Sequence, residues 1–206
     1  MTTAPTVATA DSPPAEEAAH AQRNRSTGVW GMAVLIMTEA TIFAGLLSSY
    51  FFLQASAKEW PLGDIEPPEL QIIGVFTVIL LGSSGPLFWA ERGLHKGELW
   101  RLKVGLILVL LMGTAFLCFQ VIEYIELGFG VRDNAYGSLF YTITGLHGLH
   151  VFGGLLMIGM VLIKAFMGKV SAERHVTVQV VGLYWHFVDV VWVFVFASLY
   201  LSVHMQ

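Results

Sequence analysis

The chain has 206 residues, of which 55% are hydrophobic and 13% charged, with a formal net charge of −4. That charged share is about half of what a soluble domain carries, and the mean hydropathy is +0.67, which places the chain in the membrane class and not the globular one. Eleven Lys and Arg without a basic cluster give no footing for nucleic-acid binding, and the single cysteine, Cys118, excludes an internal disulfide and a cysteine-built metal site.

Residues 1–26 are rich in Ala, Thr, Pro and Glu. They lack an apolar h-region and any periodicity, so they read as a disordered cytoplasmic tail and not a signal peptide. The remainder, 27–206, reads as one membrane domain. Asking for about 20 mainly apolar residues per crossing gives five spans, near 29–53, 70–91, 103–123, 138–163 and 177–203. Strands are excluded, because lipid leaves their edge groups unsatisfied. The expected fold is all-α: a polytopic membrane helical bundle of five transmembrane helices.

Charge in the connections sets the expected orientation. Arg23 and Arg25, then Arg92, Lys96, Arg101 and Lys103, then Lys164, Lys169 and Arg174 gather on one side. Only Lys58 and Arg132 lie on the other, among acidic, turn-rich loops with Pro61, Pro67, Pro68 and Gly128. The bias places the N-terminus inside and the C-terminus outside. Almost no chain is left for a soluble domain, so any activity lies within the membrane or with partners there.

Several spans carry polar residues well inside the bilayer, where such groups are costly and usually find a partner in the bundle. At 1.5 Å per residue, Glu39 lies roughly 15 Å from the inside face, Asp189 roughly 18 Å and His150 roughly 20 Å. His147 is one turn further out, and His186 and Asp189, three apart, share a helix face. Antiparallel spans thus bring acids and imidazoles to similar levels. Three readings follow. The set is interhelical glue, or a proton-handling path, or a metal or haem site built from His147, His150 and His186. The last has little behind it, since no HExxH pair or repeated histidine box is present.

Glu39 is the most unusual of these residues. A carboxyl held in lipid without a cation is favoured in its neutral form, the form that hydrophobic carbodiimides modify. The plainer alternative is a hydrogen bond to a Ser, Thr or His on a neighbouring helix. Lys164 and Arg174 near the inside ends, with Trp185 at another level and Glu39 itself, are candidates for anionic lipid head groups, set against ordinary positive-inside charge and snorkelling. Gly153 and Gly154, and Gly82 and Gly85, allow close helix approach, and Pro86 is expected to kink the second span.

Several stretches also resemble a known family. YWHFVDVVW at 184–192 and YGSLFYTITGLHGLHV at 136–151 are similar to signatures of subunit III of haem–copper terminal oxidases. TEATIFAGLL at 38–47 resembles the helix that bears that family's carbodiimide-reactive glutamate, and FQVIEY at 119–124 and PPELQ at 67–71 also fit. The similarity covers 29–204 in the family's order.

The resemblance implies an accessory, non-catalytic subunit of a proton-pumping oxidase of aerobic respiration, a multi-pass protein of the bacterial plasma membrane. It implies no metal and no redox centre in this chain. Haems and copper would belong to partner subunits I and II, with cytochrome c reached through subunit II. Bound phospholipid, stabilisation of subunit I and support of proton uptake complete the implied role. Glu39 matches the reactive glutamate. Lys164 stands where relatives carry an Arg that contacts a lipid head group; the charge is kept and the bidentate fork is lost. Mitochondrial relatives have seven helices, and this chain resembles the shorter five-helix form, so another subunit or lipid would have to complete the lipid cleft. Subunit III of a quinol oxidase and an independent membrane proton transporter are the alternatives.

Overall fold

The computed structural model describes residues 15–62, 65, 69–170 and 176–204, with side chains from Thr27 onward. All of the regular structure among them is helical. The elements are α1 (Ala15–Ser56), α2 (Leu70–Gly82), α3 (Ser84–His95), α4 (Leu99–Glu126), α5 (Ala135–Phe166) and α6 (Val176–Phe196). A π-helical turn (Ala197–Leu201) and a short α7 (Ser202–His204) close the chain.

Five stretches are long and apolar enough to cross a membrane: Thr27–Ser56, Leu70–His95, Leu99–Glu126, Ala135–Phe166 and Val176–His204. The expected bundle is therefore present, with each span a few residues longer than the apolar count. At 1.5 Å per residue, 26 to 32 residues exceed the roughly 30 Å of hydrocarbon, so the polar ends emerge on both sides.

Helix α1 and the second span add detail to this bundle. Helix α1 runs back to Ala15, so residues 15–26 continue the helix of the first span. Their sequence, AEEAAHAQRNRS, is dominated by good helix formers joined directly to a stable span. Residues 1–14 lie outside the described residues, as does Arg174. The second span is two helices, broken at Ser83. Pro86 has no N–H to bond the carbonyl four residues back, at Gly82, and its ring crowds that carbonyl. The ladder resumes with Leu87 N–H on Ser83 O at 3.2 Å.

Helix ends follow local chemistry. Gly97 and Gly168 adopt φ of 77° and 69°, the left-handed position that glycine fills at no steric cost. Gly97 N–H donates to Leu94 O and Glu98 N–H to Gly93 O, and the same pattern ends α5 with Gly168 on Ala165 and Lys169 on Lys164. These are paired Schellman closures. At the opposite end of the bundle, Asn134 caps α5 by accepting from Gly137 N–H at 2.8 Å, while its Nδ2 donates to Leu62 O at 2.6 Å.

Helix α6 occupies the centre and packs on α1, α2, α3 and α5. Half of its most apolar stretch is buried, against 11% for α1. Close approach is made by glycine. The Trp185 ring lies 2.7–2.8 Å from where a Cβ on Gly113 (α4) or Gly154 (α5) would stand, so both must lack one. Gly105 likewise admits Ala90 and the Pro86 carbonyl, bringing α3 onto α4. Gly85 has no neighbour of this kind within 4 Å and is not a packing glycine.

Candidate functional site

The polar residues of the membrane interior fall into three groups and not one. The first joins α1 to α5. Glu39 Oε2 lies 3.0 Å from His150 Nε2, which meets the expectation that antiparallel spans bring acid and imidazole to one level. His150 Nδ1 lies 2.7 Å from Leu146 O. A carbonyl only accepts, so Nδ1 carries a hydrogen. Nε2 and the Glu39 carboxyl therefore hold one proton between them, as acid on neutral imidazole or as imidazolium on carboxylate. The Tyr184 hydroxyl donates to His150 O at 3.3 Å, and the Phe43 ring stands edge-on to the imidazole at 5.2 Å. The pair is not sealed: the side chains of His150 and Glu39 retain 11% and 24% of their exposure.

The second group ties α6 to α2 and α3. Ser84 Oγ donates to Asp189 Oδ2 at 2.6 Å and lies 2.9 Å from His186 Nδ1. Since the serine proton points at Asp189, His186 Nδ1–H is the donor to Ser84. One turn away, Trp185 Nε1–H donates to Ser83 Oγ at 2.9 Å, and Trp192 Nε1–H donates to Thr77 Oγ1 at 3.0 Å. Asp189 is 5% exposed, and its Oδ1 meets no hydrogen-bonding group.

The third group lies nearer the end opposite the basic residues. The Tyr200 hydroxyl donates to Glu123 Oε2 at 3.1 Å, both groups being buried. Gln120 Nε2 donates to Thr144 O at 2.7 Å and to the Tyr124 hydroxyl at 3.2 Å. Tyr200 sits in the π-helical turn, a local widening that often accompanies functional positions.

His147 belongs to none of the three. It is fully buried, neither ring nitrogen meets a hydrogen-bonding group, and its ring packs against Trp192, Phe116 and Phe43 at centroid distances of 4.7, 6.0 and 6.5 Å. His147, His150 and His186 thus face different surroundings and do not converge on a common point. Among the described residues, no three His, Cys, Asp or Glu side chains are placed to hold a metal ion.

The lipid candidates separate in the same way. Lys164 is exposed in the last turn of α5, the placement a head-group contact needs. Trp185 is wholly buried with its indole N–H committed to Ser83, so it packs the core and cannot reach a head group. Arg174 is outside the described residues.

Sequence reasoning missed Ser83, Ser84, Thr77, Glu123 and Tyr200. A signal for Glu123 was present: in α4 the buried positions Leu106, Val109, Gly113, Phe116, Gln120 and Glu123 recur at helical spacing, which puts both polar residues on the core stripe. The serines gave no such signal, because Ser and Thr in a span are equally at home bonding their own backbone.

A sequence profile of the family described as cytochrome c oxidase subunit III matches residues 15–203. The chain belongs to the cytochrome c oxidase subunit III family. It is 35% identical over 183 residues to cytochrome c oxidase subunit 3 of Thermostichus vulcanus, covering 88% of this chain and 90% of that one. It is 38% identical over 176 residues to a probable cytochrome c oxidase subunit 3 of Nocardia farcinica, covering 82% and 85%. Against cytochrome c oxidase subunit 3 of Oryctolagus cuniculus it is 32% identical over 177 residues, covering 83% of this chain and 68% of the rabbit one. As a subunit III with five membrane-spanning helices, the chain is a multi-pass membrane protein and one component of a terminal oxidase assembled with other subunits.

Proposed function

We propose that this chain is the accessory subunit of a bacterial cytochrome c oxidase, which holds structural phospholipid, steadies subunit I and supports proton uptake into it. Oxygen is reduced at haem and copper in subunits I and II, and electrons arrive from cytochrome c through subunit II. The chain lies in the plasma membrane with its N-terminus inside, as the nine basic residues on that side favour.

The observation that carries this reading is the Glu39–His150 pair on the least covered helix. Most buried polar side chains of the bundle are paired within it, while this one pair, 3.0 Å apart, keeps partial exposure on α1. A paired acid and base open to the bilayer side suits contact with a lipid or a partner subunit, and one proton held between them suits exchange with a neighbouring uptake path. Lys164 supplies a cation for a phosphate at the basic end, as a point charge and without an arginine fork.

The test is a mild-detergent pull-down of this chain with a reduced-minus-oxidised visible spectrum and a copper assay. Haem absorbance with two larger subunits in stoichiometric amounts is expected. Copper beyond the single atom of the oxygen-reducing centre identifies a cytochrome c donor, and its absence moves the reading to a quinol oxidase. A stable, colourless, copper-free eluate overturns the oxidase assignment in favour of an independent transporter.

A further inference from the structure

A line of protonatable groups runs between α3 and α6, apart from the Glu39 pair. At the basic end, Glu91, His95 and Gln179 line a recess with Leu94 and Val178. It offers about 50 Å³, against the roughly 10–15 Å³ that one water needs by the same measure, so it admits several. One turn deeper, Glu91 Oε1 occupies the place where a Cβ on Gly182 would stand. Only glycine leaves room there, so α6 has a gap in its wall filled by a carboxyl. His186 is one turn further along α6, roughly 6 Å by helical rise, and it leads through Ser84 to Asp189.

Among the described residues, the charges around the seam leave this carboxyl without a cation. Among the described residues Glu91 has no ion-pair partner: Arg92 lies over the Phe88 ring at 4.2 Å and Arg101 pairs with Glu98. From α1, Gly28 meets α6 at Val176 and Val180, which are apolar. From α2, Thr77 bonds Trp192. Among the described residues, the ionisable groups along the seam are Glu91 and His95 from α3 and His186 and Asp189 from α6.

We propose that the α3–α6 seam is a proton-exchange path that connects the recess at the basic end to Asp189, roughly 18 Å deep by helical rise. Glu91 takes a proton from water in the recess and delivers it, directly or through one water, to Nε2 of His186. The imidazolium so formed releases its Nδ1 proton to Ser84 Oγ as the Ser84 proton passes to Asp189 Oδ2. One proton has entered at Nε2 and one has reached Asp189, leaving His186 neutral with its hydrogen on Nε2; the reverse steps empty the site. Beyond Asp189 the next polar contact across these helices is the closed Trp192–Thr77 bond. The path ends there, and the seam stores a proton without carrying it across the membrane.

The test is hydrogen–deuterium exchange followed by infrared spectroscopy on the purified complex at rest. The Asp189 carboxyl band is identified as the one lost in Asp189→Asn. On transfer to heavy water it is expected to shift quickly in the native complex, and to do so slower by about tenfold or more in Glu91→Gln, which removes the relaying acid. Gly182→Ala is the second variant: its methyl displaces the Glu91 carboxyl without changing charge, and it is expected to slow exchange in the same way. Exchange slowed by less than that in either assembled variant overturns the path, as does the lack of any carboxyl band lost in Asp189→Asn. No turnover is needed, so this outcome is separate from the oxidase assignment, which the spectrum of the eluate decides.

Discussion

Helices α6 and α1 carry similar residues to similar depths and are built to opposite ends. Helix α6 places a buried Asp189 beside a half-buried His186, where serine and threonine from α2 and α3 meet its polar groups and two indoles. Helix α1 places Glu39 against His150 and leaves the pair partly open on a helix that the rest of the chain barely covers. A buried acid in a membrane is thus not one kind of thing. Where neighbouring helices enclose it, the acid fixes how the helices seat. Where they leave a face free, the acid remains available to lipid, solvent or another subunit.

This contrast gives an order of expected effects. The largest belongs to the centre of α6. Trp185→Ala empties the space that Gly113 and Gly154 were cleared to admit. It is expected to cost about 3–5 kcal/mol, read as loss of the chain from the assembled complex or a large fall in its thermal midpoint. An unchanged midpoint would erase the distinction between the two helices.

Next comes Ser84→Ala, which strips the hydroxyl between His186 and Asp189. Leaving a buried carboxyl and a half-buried imidazole unpaired costs about 1–3 kcal/mol, and the shift of the thermal midpoint of the complex measures it. Tyr200→Phe removes one bond to Glu123 and keeps the ring. About 0.5–1.5 kcal/mol is expected, and the double variant with Glu123→Gln is expected to cost less than the two single changes added, since they share that bond. The smallest effect belongs to α1. Glu39→Gln keeps a hydrogen-bonding side chain at a partly open site, so assembly and midpoint are expected to hold within about 1 kcal/mol, while chemical reactivity at this position disappears. A stability loss as large as that of Trp185→Ala would make Glu39 a structural residue like those of α6.

Much of this was legible in the sequence, and the reason differs by element. The five spans follow from apolar length alone, because lipid permits no other solution. Glu39 and His150 were placed at similar depths by counting residues, since the rise of a helix is fixed. What could not be read was partner choice. His147, His150 and His186 look alike in sequence, yet one packs among aromatic rings, one faces a carboxylate and one faces a serine, and only helix rotation decides among these. Trp185 read as a head-group candidate for the same reason: its glycine sockets lie on two other helices, at Gly113 and Gly154. The break at Ser83 was half legible, as Pro86 foretold a kink but not its depth or the Ser83–Trp185 bond that uses it.

The most direct measurement is carbodiimide labelling of the native complex, with the modified residue located by peptide mass spectrometry. The expected result is modification of Glu39, none at the enclosed Asp189 or Glu123, and no label in the Glu39→Gln chain. Label on Asp189 or Glu123, or undiminished label in the variant, would contradict the division between an enclosed Asp189 on α6 and an open Glu39 on α1.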